Sequence, residues 1–227
     1  MNRDKIIGIV LVVLVVAGVA VYGFKKGPKE TAVATKTETV AKVNGIEITK
    51  ATYESQLAST ISTLKTQGVD TEKTENLAQI KTQVLDDLIN NELVKQEIEK
   101  SGITASPEEV EKQFQAIVTQ LGGADKLKTQ LETAKLTEAQ LRENLAKQIA
   151  VQAYLLKNID TASVTVTDAE IKKFYDDNVK GQAKAPALKE VSDQIKQQIT
   201  TNKQQVLVNA LIASLKTKAT IEKSAIQ

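Results

Sequence analysis

The chain of 227 residues contains no cysteine and no histidine. Without these side chains it has no histidine for general acid–base catalysis, no Ser-His-Asp or Cys-His nucleophile, no thiolate zinc site and no disulfide. A lipid anchor carried on cysteine is excluded for the same reason. These absences favour binding or scaffolding over catalysis.

Aromatic residues are also scarce, at 3% of the chain, and tryptophan is absent. Single-stranded nucleic acids are bound by stacking their bases on aromatic side chains along a basic groove. Of the 30 basic and 28 acidic side chains, five basic and two acidic ones lie within residues 1–34, so the rest of the chain is within one charge of neutrality. We therefore expect no nucleic-acid partner.

Motifs for cofactor, metal or catalytic chemistry are missing as well. The sequence has no glycine-rich phosphate loop, no HExxH pattern and no calcium loop. The adjacent carboxylates Asp86-Asp87 and Asp176-Asp177 would point roughly 100° apart on a helix, which does not make a catalytic pair. A Ser-Lys nucleophile is chemically allowed, but no serine lies in an apolar, glycine-flanked turn with a lysine at helical spacing. We predict no catalytic, cofactor-binding or metal-binding residues.

An uncharged run of 19 residues extends from Ile6 to Phe24. As a helix it would span about 28 Å, close to the ~30 Å hydrocarbon core of a bilayer. The sequence therefore predicts a single-pass transmembrane anchor within residues 1–26, with the lipid bilayer contacted through residues 6–24. The alternative is a cleaved signal peptide, whose apolar region is shorter, about 7–15 residues. The small-residue site Ala32-Val33-Ala34 that such a peptide needs lies far beyond Phe24.

Residues 27–39 begin with glycine and proline and lack apolar periodicity, which predicts a flexible tether. Lysines flank the apolar run on both sides, so the positive-inside rule does not decide its orientation.

Beyond the tether, residues 40–227 predict one mainly helical domain. The sequence Val43-Asn44-Gly45-Ile46 indicates a β-hairpin, because a tight type I′ turn requires positive φ at both central residues. Asn-Gly meets that requirement. A lone hairpin is marginally stable, so another strand or a helix should pack on it. A terminal strand is expected over residues 219–222.

Helices are predicted from apolar spacing, glycine stops and N-terminal capping boxes. Capping boxes begin at Ser106, Thr137 and Thr167. The predicted helices cover about residues 50–67, 74–101, 107–121 and 124–133, a helix from 138, one from 168 to near 181, and 188–217. Their apolar stripes predict core positions at Leu77, Ile80, Val84, Leu88, Leu141, Leu145, Ile149, Ala153, Leu156, Ile195, Ile199, Val206, Leu207, Leu211 and Leu215.

The order of these pieces resembles the SurA- and PrsA-type extracytoplasmic foldases. The resemblance is carried by the hairpin Val43–Thr49, the helix end Ile98–Ile103, the capped start Ser106–Glu111, the stretch Leu136–Arg142, and Val164–Asn178. Each piece is weak alone, but their order over about residues 40–178 is moderately specific. The family usually continues from the last piece into a parvulin prolyl-isomerase domain. Here only nine residues, 179–187, separate Asn178 from the last helix.

The resemblance implies an irregular helical domain of the SurA N-terminal type, whose hairpin and C-terminal strand share one small sheet. Together with the predicted anchor, it implies a membrane-anchored extracytoplasmic chaperone that binds unfolded secreted or membrane polypeptides without ATP or cofactor. It does not carry over the isomerase activity. Candidate client-binding residues flank the Gly122-Gly123 break, where a mobile apolar site would fit, although core packing explains each of them as well: Phe114, Ile117, Leu121 and Leu127.

Two other functions stay open from the sequence. A membrane-tethered adaptor would use the long last helix against one folded partner. A residual peptidyl-prolyl isomerase is disfavoured by the missing domain.

Overall fold

The computed structural model describes residues 38–182 and 185–224. Strands β1 (Thr39–Val43) and β2 (Ile46–Thr49) form the antiparallel hairpin that Asn-Gly predicts. Asn44 has φ of 50° and Gly45 has φ of 85°, so both central residues adopt the left-handed conformation of the tight turn.

The hairpin gains its third strand from the other end of the chain. Strand β3 (Ile221–Lys223) pairs antiparallel with the free edge of β1, giving the strand order β2-β1-β3. This confirms that the two ends of the domain meet in one sheet.

Seven α-helices fill the chain between β2 and β3 in the described residues. They are α1 (Lys50–Thr66), α2 (Thr74–Ser101), α3 (Pro107–Leu121), α4 (Ala124–Thr133), α5 (Glu138–Asn158), α6 (Asp168–Asn178) and α7 (Leu188–Lys218). A short 3₁₀ turn, Thr161–Ser163, joins α5 to the extended residues before α6.

The three predicted capping boxes are present. Ser106, Thr137 and Thr167 each accept a hydrogen bond from the backbone three residues on, and the side chain at that position accepts one from the cap backbone. These reciprocal bonds satisfy N–H groups that have no partner within the helix, so α3, α5 and α6 begin where the sequence predicts.

The largest core cluster lies between the sheet, α1, α2 and the end of α7. Its most deeply buried large side chains are Val43, Val84 and Ile89, and Leu215 joins them from α7. A second cluster joins α3, α4 and the start of α5, and a third joins the ends of α2 and α5 to the middle of α7. The fourth joins α6 to the first half of α7 around Ile171, Ile195 and Ile199.

Two predicted core positions are wrong. Leu156 is 38% exposed, because Tyr154 and Leu155 are the side chains that the end of α5 buries. Val206 is 65% exposed. Ile199, which lies two turns earlier on the same face of α7, is buried against α6. Lys203 bonds to residues at the start of α6, so α6 covers this face of α7 only up to that level.

The predicted anchor, residues 6–24, lies outside the described residues, as does most of the tether. Among the helices that the structure describes, none has the length and hydropathy needed to cross a bilayer.

Candidate functional site

The four candidate residues predicted around the glycine break all belong to the second cluster. Phe114 and Leu127 are 5% and 3% exposed, so they form its interior. Ile117 and Leu121 are half-buried against that interior and present part of their surface to solvent. The structure thus brings the four side chains together, with Phe114 and Leu127 packed beneath Ile117 and Leu121.

The glycine break itself is a tight connection between α3 and α4. Gly122 and Gly123 have φ of 85° and 123°, and the Gly123 N–H donates to the Val118 carbonyl at 2.8 Å. A Cβ on Gly122 would lie 3.1 Å from the Lys126 amine. Glycine adopts positive φ without steric cost, so both residues suit the tight turn between α3 and α4.

Arg142 holds α5 against α3 at this cluster. Its guanidinium carbon lies 3.6 Å from the centre of the Phe114 ring, and it also pairs with Glu111. Hydrogen bonds from Gln115 and Arg142 lower the pKa of Glu111, so the carboxylate stays charged opposite the guanidinium. The α3–α4–α5 cluster is therefore fixed by stacking and charge as well as by apolar contact.

A second candidate surface was not predicted from the sequence. A groove of about 340 Å³ lies between α6 and α7. We name it the α6–α7 groove; its lining residues are Glu170, Lys173, Phe174, Asp177, Asn178, Ile199, Asn202, Lys203 and Val206.

The apolar part of the α6–α7 groove is formed by Phe174, Ile199 and Val206. Ile199 is buried, Phe174 is half-buried and Val206 is exposed, so the apolar surface passes from the core to the solvent. The lining positions repeat at intervals of three and four residues on each helix, which places them on one face. That spacing was the signal available in the sequence, but a stripe of mixed charged and apolar residues predicts an ordinary helix surface.

The charges around the α6–α7 groove are paired with one another. Glu170 pairs with Lys203 at 2.6 Å, and Lys173 pairs with Asp177 at 2.8 Å. The hydrogen bond from Lys203, with the Thr167 cap, lowers the pKa of Glu170 to about 2. The Asp177 carboxylate raises the pKa of Lys173. Two acidic side chains face two basic ones, so the rim has no formal net charge.

The two asparagines of the α6–α7 groove have one bonded and one free side-chain atom each, within the described residues. Asn178 Nδ2 donates to the Phe174 carbonyl at 2.9 Å, which leaves its Oδ1 as an acceptor. Asn202 Oδ1 accepts from Gln198 Nε2 at 3.0 Å, which leaves its Nδ2 as a donor. The groove therefore offers an apolar floor, one hydrogen-bond acceptor and one donor.

Comparison with known proteins gives a family and a fold. A family described as the SurA-like N-terminal domain matches residues 1–155. The chain is 32% identical over 162 residues to the foldase protein PrsA of Clostridium perfringens, covering 66% of this chain and 45% of that protein. It is 31% identical over 149 residues to PrsA of Caldanaerobacter subterraneus, covering 62% and 43%. The chain thus spans less than half the length of these curated relatives.

This chain also superposes, with a TM-score of 0.55, on a solved structure reported in work on two SurA-like chaperones of Campylobacter jejuni. The alignment covers 83% of this chain and 99% of that one, at 14% sequence identity. At this identity the similarity shows a shared fold.

Proposed function

This chain belongs to the family of the SurA-like N-terminal domain, and on that premise we propose that it is a chaperone that binds unfolded polypeptides without ATP. The observation that carries the proposal is the family match over residues 1–155, to which the similar fold of a SurA-like chaperone adds support. PrsA relatives are named foldases, which is the same class of function.

We place the protein outside the cytoplasm and attached to the cell membrane. The support is the uncharged run Ile6–Phe24, which has the length of a bilayer-spanning helix, and the extracytoplasmic foldases that the sequence resembles. Residues 27–38, up to the start of β1, would tether the helical domain to this anchor.

We propose the solvent-facing parts of Ile117 and Leu121 as one client-binding surface. Phe114 and Leu127 are buried beneath them and would hold the two surface side chains in position. Apolar surface left in contact with water attracts apolar partners, which is what an unfolded chain exposes.

No isomerase chemistry is part of the proposal. The chain has no histidine or cysteine to supply acid–base or nucleophilic groups. Binding alone, through weak contacts with apolar segments, is sufficient for a holdase.

Suppression of aggregation tests the proposal. The full chain in lipid nanodiscs is added to a client enzyme that unfolds on heating, without ATP, and light scattering is recorded. We expect scattering to fall as the chain approaches equimolar amounts, whereas empty nanodiscs leave it unchanged. Unchanged scattering at molar excess of the chain would refute the proposal.

The alternative is a tethered adaptor for one folded partner, favoured by the 31-residue helix α7, of which one face carries the exposed Val206. Crosslinking in membranes distinguishes the two. Many clients crosslinked in unfolded form support the chaperone, whereas one stoichiometric folded partner supports the adaptor.

A further inference from the structure

Val206 is the most exposed large apolar side chain in the described residues, at 65%. Exposed single apolar residues are common on protein surfaces. This one differs because it continues an apolar floor that begins in the core at Ile199 and passes Phe174. A ligand bound in the α6–α7 groove would therefore contact an apolar surface that is continuous with the core.

The paired charges of the α6–α7 groove disfavour a charged ligand. Each carboxylate at its rim has a lysine partner within 2.8 Å, so a charged ligand would have to displace an existing ion pair. An uncharged ligand would meet a rim without net charge and an apolar floor. Phosphates, nucleic acids and anionic headgroups are disfavoured by the same balance.

The two asparagines of the groove can form hydrogen bonds with a peptide backbone. Asn202 Nδ2 is a free donor and Asn178 Oδ1 a free acceptor in the part of the chain that the structure describes, because their other side-chain atoms are bonded within the helices. A polypeptide backbone offers the complementary carbonyl and N–H at every residue. A hydrocarbon ligand would form no hydrogen bond with either amide atom.

The volume limits the size of the occupant. About 340 Å³ lies at the small end of ligand pockets, which range from ~300 to ~1,000 Å³. A groove of this size accommodates side chains of a short segment and is too small for a folded domain.

We propose that the α6–α7 groove binds a short, uncharged apolar segment of an unfolded polypeptide, with Val206, Phe174 and Ile199 contacting its side chains and Asn178 and Asn202 its backbone. The inference rests on the proposed chaperone function, whose substrate class it specifies. It adds a second binding surface, distinct from Ile117 and Leu121.

The absence of cysteine from the chain makes the test direct, because one introduced thiol is unique. Val206→Cys places it in the groove. Val69→Cys, at a valine that is 40% exposed and outside the groove, is the matched control. The probe is a peptide with a Leu-Val-Phe-Leu segment between Gly-Ser flanks. In a second peptide, aspartate replaces both leucines.

The measurement is the rate at which iodoacetamide alkylates each thiol in the full chain. With the first peptide at ten times its Kd, about nine-tenths of the grooves are occupied, so the rate at the Val206→Cys thiol should fall about tenfold. The rate at the Val69→Cys thiol should not change, and the aspartate peptide should protect neither. In addition, Val206→Ser should weaken peptide binding about tenfold with an unchanged unfolding midpoint, while Val69→Ser leaves binding unchanged.

The remaining outcomes overturn the inference in distinguishable ways. If the peptide binds without protecting the Val206→Cys thiol, or if it does not bind while the chain still suppresses aggregation, the groove assignment fails and the chaperone function stands. If the peptide does not bind and aggregation is not suppressed, both fail. If protection rises with protein concentration instead of peptide, the occupant is a second copy of the chain.

Discussion

Asn44 and Thr220, which are 176 residues apart in sequence, exchange two hydrogen bonds. The Asn44 backbone N–H donates to the Thr220 carbonyl at 2.8 Å, and the Thr220 N–H donates to Asn44 Oδ1 at 2.9 Å. Asn44 Nδ2 also donates to Gln96 Oε1 at 2.8 Å, and Gln96 Nε2 donates to the Val43 carbonyl at 3.0 Å. One asparagine in the hairpin turn thus joins the hairpin to the start of the C-terminal strand and to α2.

We predict that replacing Asn44 destabilises the whole domain. Asn44→Gly keeps the positive φ but loses both side-chain hydrogen bonds, at a cost of about 1–2 kcal/mol. Asn44→Ala loses the same bonds and keeps a Cβ in the left-handed region without the polar group that lets asparagine tolerate it, so it should be the more destabilising variant. Urea unfolding followed by circular dichroism measures both free energies. Equal stability of the two variants and the unaltered protein would show that this connection contributes nothing.

This network also shows how far the sequence predicts the fold. Asn44-Gly45 predicts the turn, because its local geometry demands those residues. The partners of Asn44 could not be predicted, because Gln96 and Thr220 are distant in sequence and neither has an unusual local pattern. Likewise the helix starts follow from capping boxes, whereas exposure at Val206 depends on how far α6 reaches along α7. The groove formed there could not be predicted for the same reason.

Arg142 should stabilise the α3–α4–α5 cluster mainly through its flat guanidinium. We predict that Arg142→Lys, which keeps the charge but loses the stacking on Phe114, costs about 0.5–1 kcal/mol. Glu111→Gln removes the ion pair and leaves the stacking, so its effect should be smaller, because an ion pair at an exposed site is screened by solvent. Unfolding free energies of the two variants decide the order; a larger loss for Glu111→Gln would contradict this assignment.

The Glu170–Lys203 ion pair should make stability depend on pH in acid. The pKa of Glu170 is about 2 in the folded chain, below its ordinary value of 4.5, chiefly because Lys203 donates to it. The ionised form therefore favours the folded state above about pH 4.5, and this contribution is lost as the pH falls towards 2. Lys203→Gln should raise the pKa of Glu170 towards 4.5, as followed by NMR of its side-chain carboxyl carbon.

Lys173→Gln is the matched control for that titration. It removes a lysine of the same groove that pairs with Asp177 instead of Glu170. It should leave the pKa of Glu170 low. A Glu170 that titrates near 4.5 in the unaltered protein would show that the ion pair does not form in solution.

The proposed surface at Ile117 and Leu121 makes a separate prediction. Leu121→Ser should weaken binding of an unfolded client about tenfold, because the half-buried leucine would lose its apolar contact with the client. Leu156→Ser is the matched control, since Leu156 is exposed on α5 away from this cluster. Fluorescence anisotropy of a labelled unfolded client measures both affinities. Equal affinities for the two variants would place client binding elsewhere on the chain.

The central claim is that the chain recognises the unfolded state of its partners. It is tested most directly by anisotropy titrations of the full chain against one labelled protein in two forms, permanently unfolded by reduction and carboxymethylation, and native with its disulfides intact. We predict saturable binding to the unfolded form, without ATP, and no binding to the native form at the same concentrations. Equal binding to both forms, or binding to the native form alone, would contradict the chaperone function.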